Sequence, residues 1–187
     1  MHAQLDALVA SFDRMQDRLH RLVARLDDAQ FGRRVSPDRW SVAECVAHLN
    51  LTGERFLPLI RQALDANAAL RNVGPKHSYK QDLAGRMIAF LAGPLPRLGP
   101  LRFGRVKTPP PFVPTGELPK ATVMATFDRV QAQQAALVHE SDGRPIDQIM
   151  IASPFAEKIK YSLYSTFIIL PAHQERHIEQ AEALWPR

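Results

Sequence analysis

At 187 residues, 45% of them hydrophobic, the chain is long enough to bury a core of its own, and it has no run of about 18 uninterrupted apolar residues that would span a membrane. The formal charge of +5 raises the question of a nucleic-acid or anionic partner, yet acids and bases interleave where the first helix is expected (Asp13, Arg14, Asp17, Arg18), as on ordinary solvated faces. A single cysteine, Cys45, rules out an internal disulfide and fits a reducing, cytoplasmic setting, and the N-terminus lacks the charged and apolar regions of a signal peptide.

From Leu5 the apolar residues fall at Leu5, Leu8, Phe12, Met15, Leu19, Leu22 and Leu26, in steps of three and four. That spacing predicts an amphipathic helix over residues 3–28, stopped by Asp27, Asp28 and Gly32. Next, Ser41 followed by Glu44 forms a capping box, in which the hydroxyl takes the N3 amide and the carboxylate reaches back to the cap amide. A second helix is therefore expected over 42–70, with the stripe Val42, Cys45, Leu49, Thr52, Phe56, Leu59 and Ala63. Pro58 should bend it, because the ring removes a donor and crowds the carbonyl of Glu54. His48 lies one turn beyond Cys45, at the edge of the buried stripe.

Residues 71–118 read as an irregular connection, with room for a short helix over 81–91. Eight of the fifteen prolines lie in 94–119, which excludes a continuous helix or central strand there. Connections of this length tend to be lids, binding loops or mobile segments. Leu95, Leu98, Leu101, Phe103 and Phe112 predict that this one packs across the body. It also holds the clearest charge imbalance, Arg97, Arg102, Arg105 and Lys107 against Glu117 alone. Few aromatics interleave with these bases, which disfavours nucleic acid, and Gly93, Pro94 and Pro96 interrupt any membrane-surface helix.

Pro119 suits the first turn of a third helix, 119–140, carried by Val123, Phe127, Val130, Gln134 and Leu137, with His139 placed favourably at its C-terminal dipole. After a connector containing Pro154, a last helix is expected over 158–184, kinked at Pro171. Its inward stripe runs Leu163, Thr166 or Phe167, Leu170, His173, His177, Ala181 and Leu184. Four helices with few strand signals make an all-α, up-down four-helix bundle in one domain, residues 1–187, with the long proline-rich connection between helices two and three.

Two histidines now occupy core positions. His173 and His177 are four residues apart, about 40° of rotation and roughly 6 Å of rise, so both imidazoles can converge on one ion. Two nitrogens are too few for a stable site, and in a bundle the third ligand comes from a facing helix, where His48 is the obvious donor. Around them, Glu44 is either a base or only a cap, and Cys45 an accessory thiol or a core residue. Gln180, one turn after His177, is placed for a supporting contact behind that ligand. Glu175, about 200° around the helix, should face solvent or a partner, while Arg176 either pairs across an interface or meets an anionic substrate. Tyr161 and Tyr164 line a pocket or pack in the core.

The segment from Trp40 and Ser41 to His48 and Leu49 resembles the start of the second helix in the DinB/YfiT-like superfamily. His173, Arg176, His177 and Gln180 resemble its C-terminal HxxRHxxQ signature, and residues 107–114 are similar to a looser Lys/Pro/Phe segment of many members. The resemblance implies a four-helix bundle, often a homodimer, holding a divalent metal (nickel, zinc, iron or manganese) on His48, His173 and His177, with a coordination position left for water or a small-molecule substrate. It implies a metal-dependent hydrolase or a transferase of low-molecular-weight thiols such as bacillithiol or mycothiol; Arg102, Arg105, Lys107 and Arg176 are the candidates to hold an anionic group of such a substrate. The alternative is a non-catalytic metal- or ligand-binding bundle with a stress-related accessory role.

Overall fold

The computed structural model describes residues 1–70, 74, 77–94 and 108–185. The amphipathic stretches are its long helices: α1 (Ala3–Val23), α3 (Val42–Ala66), α5 (Lys120–Glu140) and α6 (Leu163–Glu182). Two shorter helices, α2 (Asp28–Gly32) and α4 (Leu83–Ala92), a 3-10 turn at Pro110–Phe112 and an antiparallel hairpin of β1 (Met150–Ser153) and β2 (Ala156–Ser162) complete the described elements. None of the described helices is long and apolar enough to cross a membrane.

Three boundaries differ from the sequence reading, each for a local reason. α1 ends at Val23, because Asp27 begins a new helix: its carboxylate accepts from Gln30 N at 2.7 Å while the Gln30 side chain accepts from Asp27 N at 3.0 Å. Leu26 and Phe31 remain buried, so the apolar period outlives the helix that it suggested. α3 stops at Ala66, where the Asn67 amide donates to Ala63 O at 2.8 Å. Residues 156–162, expected partly as helix, form β2, and Ser162 caps α6 by accepting from Ser165 N at 3.1 Å. The alternation of Lys158, Ile159, Lys160 and Tyr161 fits the strand, with the lysines exposed and Tyr161 fully buried. Pro58 and Pro171 both sit inside helices that continue through them, and the short helix expected over 81–91 is α4.

Side-chain pairings give the helix directions. Arg129 reaches Glu54 and Arg61 reaches Glu140, so α3 and α5 run parallel. Gln4 bonds Tyr164 and Arg18 bonds Glu182, so α1 and α6 run parallel to each other. Gln131 donates to Phe12 O and Gln16 to Asp128, which sets α1 against α5. Up-down alternation thus holds from α1 to α3 and from α5 to α6. Between α3 and α5 the long connection carries the chain back to the end from which α3 started, the crossover type of bundle.

The core lies in two apolar clusters. One gathers Leu5, Leu8 and Phe12 of α1 with Phe56, Ile60 and Leu64 of α3 and Phe167 and Leu170 of α6. The other gathers Leu19, Leu22, Val46, Leu49, Phe127 and Ile178. Buried amides lie between them: Gln174 Nε2 donates to Gln131 Oε1 at 2.6 Å and to Gln134 Oε1 at 3.1 Å, and Gln131 Nε2 donates to Phe12 O at 3.1 Å. At this level α3 presents Gly53, where an added Cβ would stand 2.3 Å from Val130 Cγ1, so a glycine lets α3 approach α5.

α4 lies on α6 and the hairpin. Gly85 is pressed against Ser165, 2.2 Å from where its Cβ would be. Asp82 caps α4 through Gly85 N at 2.8 Å and also accepts from Ser162 N at 2.9 Å and Ser165 Oγ at 2.7 Å, which ties two helix starts together. The opposite side of α4 leaves Leu83, Met87 and Phe90 exposed, so its apolar period does not mark a core face.

Candidate metal centre

The capping box at Ser41 sets the phase of α3. Ser41 Oγ accepts from Glu44 N at 3.2 Å and Glu44 Oε2 accepts from Ser41 N at 2.9 Å. Seven residues into that helix, His48 is 2% exposed and faces His173 and His177 of α6. The three rings lie 5.1 Å (His48 to His173), 4.5 Å (His48 to His177) and 4.6 Å (His173 to His177) apart between centroids. One nitrogen from each falls within 4.8 Å of the others, and among the described residues this is the one His/Cys/Asp/Glu grouping so arranged.

The donor set fits a divalent ion. His48 Nδ1 lies 2.7 Å from the Phe112 carbonyl, so that nitrogen carries the proton and donates, which leaves the Nε2 lone pair to point at His173. His48 Nε2 and His173 Nε2 are 3.3 Å apart. Two nitrogens about 2.1 Å from a shared ion and roughly 90–110° apart would be separated by about 3.0–3.4 Å. His177 Nδ1 is buried with no hydrogen-bond partner. An unpaired imidazole nitrogen costs free energy in a dry site, a cost that coordination removes.

Burial drives all three imidazoles toward the neutral form that a metal needs. It lowers His48, opposed by the bond to Phe112 O and reinforced by the positive charge of Arg176. Burial first, then His48 and Arg176, pushes His173 down to about 3. His177 is held well below the usual histidine range by burial, then by its two neighbours and Arg176.

Aromatic rings enclose the cluster. Trp40 lies 5.0 Å from His48 and stacks on His177 at 6.0 Å and 25°. Phe155, in the turn between β1 and β2, lies 6.2 Å from His173. Sequence reasoning gave neither ring a role, and it missed the Phe112 carbonyl. Trp40 and Phe112 lie within the two motif segments of the sequence, while Phe155 owes its place to the hairpin.

The remaining sequence candidates separate clearly. Both carboxylate oxygens of Glu44 are engaged, by Ser41 N and by Arg34 through its Nε at 2.8 Å and a second guanidinium nitrogen. Burial alone would raise its pKa, but the Arg34 and Ser41 bonds bring it below the usual value, so the cap explains this residue. Cys45 is a core residue, with its thiol pushed up to about 12 by burial. Tyr161 is fully buried, and Tyr164 accepts from Gln4 and stacks on Tyr79 at 5.4 Å. Gln180 contributes a hydrogen bond favouring charged His177, too weakly to offset burial and without pairing Nδ1. Glu175 turns toward α1, 3.7 Å from Arg18. Arg176 donates to Leu91 O at 2.8 Å, fastening α6 to the end of α4, and its charge acts on all three histidines. Arg102, Arg105 and Lys107 lie outside the described residues, as do Leu95, Leu98, Leu101 and Phe103.

Compared with known families, residues 11–181 match the model of the DinB superfamily. Comparison with curated proteins and with solved structures gives no match.

Proposed function

The chain belongs to the DinB superfamily, and on that footing we propose that it is a metal-dependent enzyme, a hydrolase or low-molecular-weight-thiol S-transferase, with a divalent ion held by His48, His173 and His177. The observation that carries the reading is the convergence of three imidazoles, two buried and His173 partly so, with one ring fixed in its tautomer by Phe112 O and one nitrogen left without a partner.

In this reading His48 offers Nε2 because its Nδ1 proton is committed to the backbone. His173 and His177 bind with little proton competition at neutral pH, since burial already keeps them neutral. Trp40 packs against the His48 and His177 rings and supports their orientation. Arg176, beside the cluster, provides positive charge for an anionic group of the substrate. When bound, the metal would supply Lewis acidity that lowers the pKa of a coordinated water or thiol. Glu44 is not the base, because its oxygens are occupied. Nickel, zinc, iron and manganese all accept this donor set, and a homodimeric state belongs to the same proposal.

Metal analysis of the purified, reloaded protein beside His173→Ala tests it. About one ion per chain is expected in the first and a small fraction of that in the second. Equal metal content in the two, or none in either, overturns the three-histidine site.

A further inference from the structure

The loop between β1 and β2 presents an aromatic ring at the edge of the histidine cluster. Phe155 is 37% exposed, although it stacks on Phe112 at 4.1 Å and 29° and lies 6.2 Å from Phe56. Phe112 beneath it is 3% exposed and its carbonyl accepts the hydrogen bond from His48, so ring and ligand share one support. The turn is fixed by the register shift between Ala152 and Ser153 and by the bond from Phe155 N to Ser153 Oγ at 3.3 Å. Of the three histidines only His173 is more than marginally accessible, and Phe155 is the ring beside it. On the same turn of α6, Arg176 adds positive charge.

A partly exposed phenylalanine stacked on a buried ring leaves apolar surface that a ligand can cover. Such a surface is inexpensive to order when a ligand covers it, because the ring is already held in place.

Resting on the metal-centre reading, we infer that Phe155, stacked on Phe112, is a specificity-determining platform at the mouth of the site. It selects substrates whose metal-directed group is attached to an aromatic or other flat apolar body. Phe155 takes no part in bond making; it positions the body of the ligand.

The test uses cobalt(II)-loaded full-length protein, titrated with benzyl mercaptan and with 2-mercaptoethanol and followed by the thiolate-to-cobalt absorption. The wild type is expected to bind benzyl mercaptan more tightly, and Phe155→Ala to lower that preference about two- to twelvefold, the range typical of aromatic pairs. Phe155→Leu, which keeps apolar packing on Phe112 but removes the flat face, is expected to lose most of the preference, and Phe155→Tyr to retain it. If cobalt binds and the ratio is unchanged in both Phe155→Ala and Phe155→Leu, the platform is overturned while the metal centre stands. If no cobalt spectrum forms in the wild type, the metal reading fails and takes this inference with it.

Discussion

Replacing Asp82 by asparagine should weaken the protein in a pH-dependent way. The carboxylate accepts from Gly85 N, Ser162 N and Ser165 Oγ at 2.7–2.9 Å and so clamps the starts of α4 and α6 together. Burial on its own would raise the Asp82 pKa, but these bonds outweigh it and hold the group at about 2, against an ordinary 3.8. A depression of just under two units corresponds to about 2.4 kcal/mol in favour of the folded, ionised form. Asp82 is only partly buried, and solvent screening trims that to about 1–2 kcal/mol. Because the folded pKa is the lower one, the contribution is complete above pH 3.8 and is lost as pH falls toward 2. Asparagine keeps one acceptor oxygen but turns an amide donor toward groups that are themselves donors. Urea unfolding followed by circular dichroism should therefore place Asp82→Asn about 2–3 kcal/mol below the wild type at pH 7. The gap should narrow by about 1 kcal/mol at pH 3. The same gap at both pH values would refute the reasoning, since the ionised carboxylate would then contribute nothing.

Gly53→Ala should lower stability by about 1–3 kcal/mol, because its Cβ would meet Val130 Cγ1 at 2.3 Å and Gln134 Nε2 at 2.9 Å. Gly32→Ala, with nothing within 4 Å, is the control, and equal melting temperatures for the two variants would show that α3 and α5 are not in close contact. Cys45, buried and protonated well above neutral pH, should resist a disulfide reagent in the native protein and react fully on denaturation; rapid native labelling would contradict its burial.

The four long helices were legible because each carries a stripe of period near 3.6, and the start of α3 because Ser41 and Glu44 cap each other. The three histidines could be named from spacing and from the facing-helix argument, and the structure places them together. Elements governed by contacts outside the local pattern escaped. The hairpin was hidden because residues 158–162 contain no break, and only their short alternation marked a strand. The Phe112 carbonyl could not be inferred from residue type, since any residue has one; its role comes from where the proline-rich turn sets it down. Glu175, expected to face solvent or a partner, keeps 43% of its side chain exposed and lies 3.7 Å from Arg18; that the neighbour is on α1 follows from the parallel course of α1 and α6, which helix geometry alone does not give.

The amides that part the two apolar clusters bear on the alignment of the metal ligands. Stripes of leucine and phenylalanine pack almost as well after one helix slides a turn, about 5.4 Å, along another. The bonds among Gln131, Gln134 and Gln174 do not survive such a slide, and each orphaned amide buried in the core would cost about 1–3 kcal/mol. Asn50, donating to Val123 O at 2.9 Å, fixes α3 against α5 in the same way. Through α5, then, the height of His173 and His177 is set relative to His48 before any ligand arrives, by groups that never touch the site. The polar layer acts as the vernier of the bundle: it surrenders some apolar burial so that only one alignment of the helices is available.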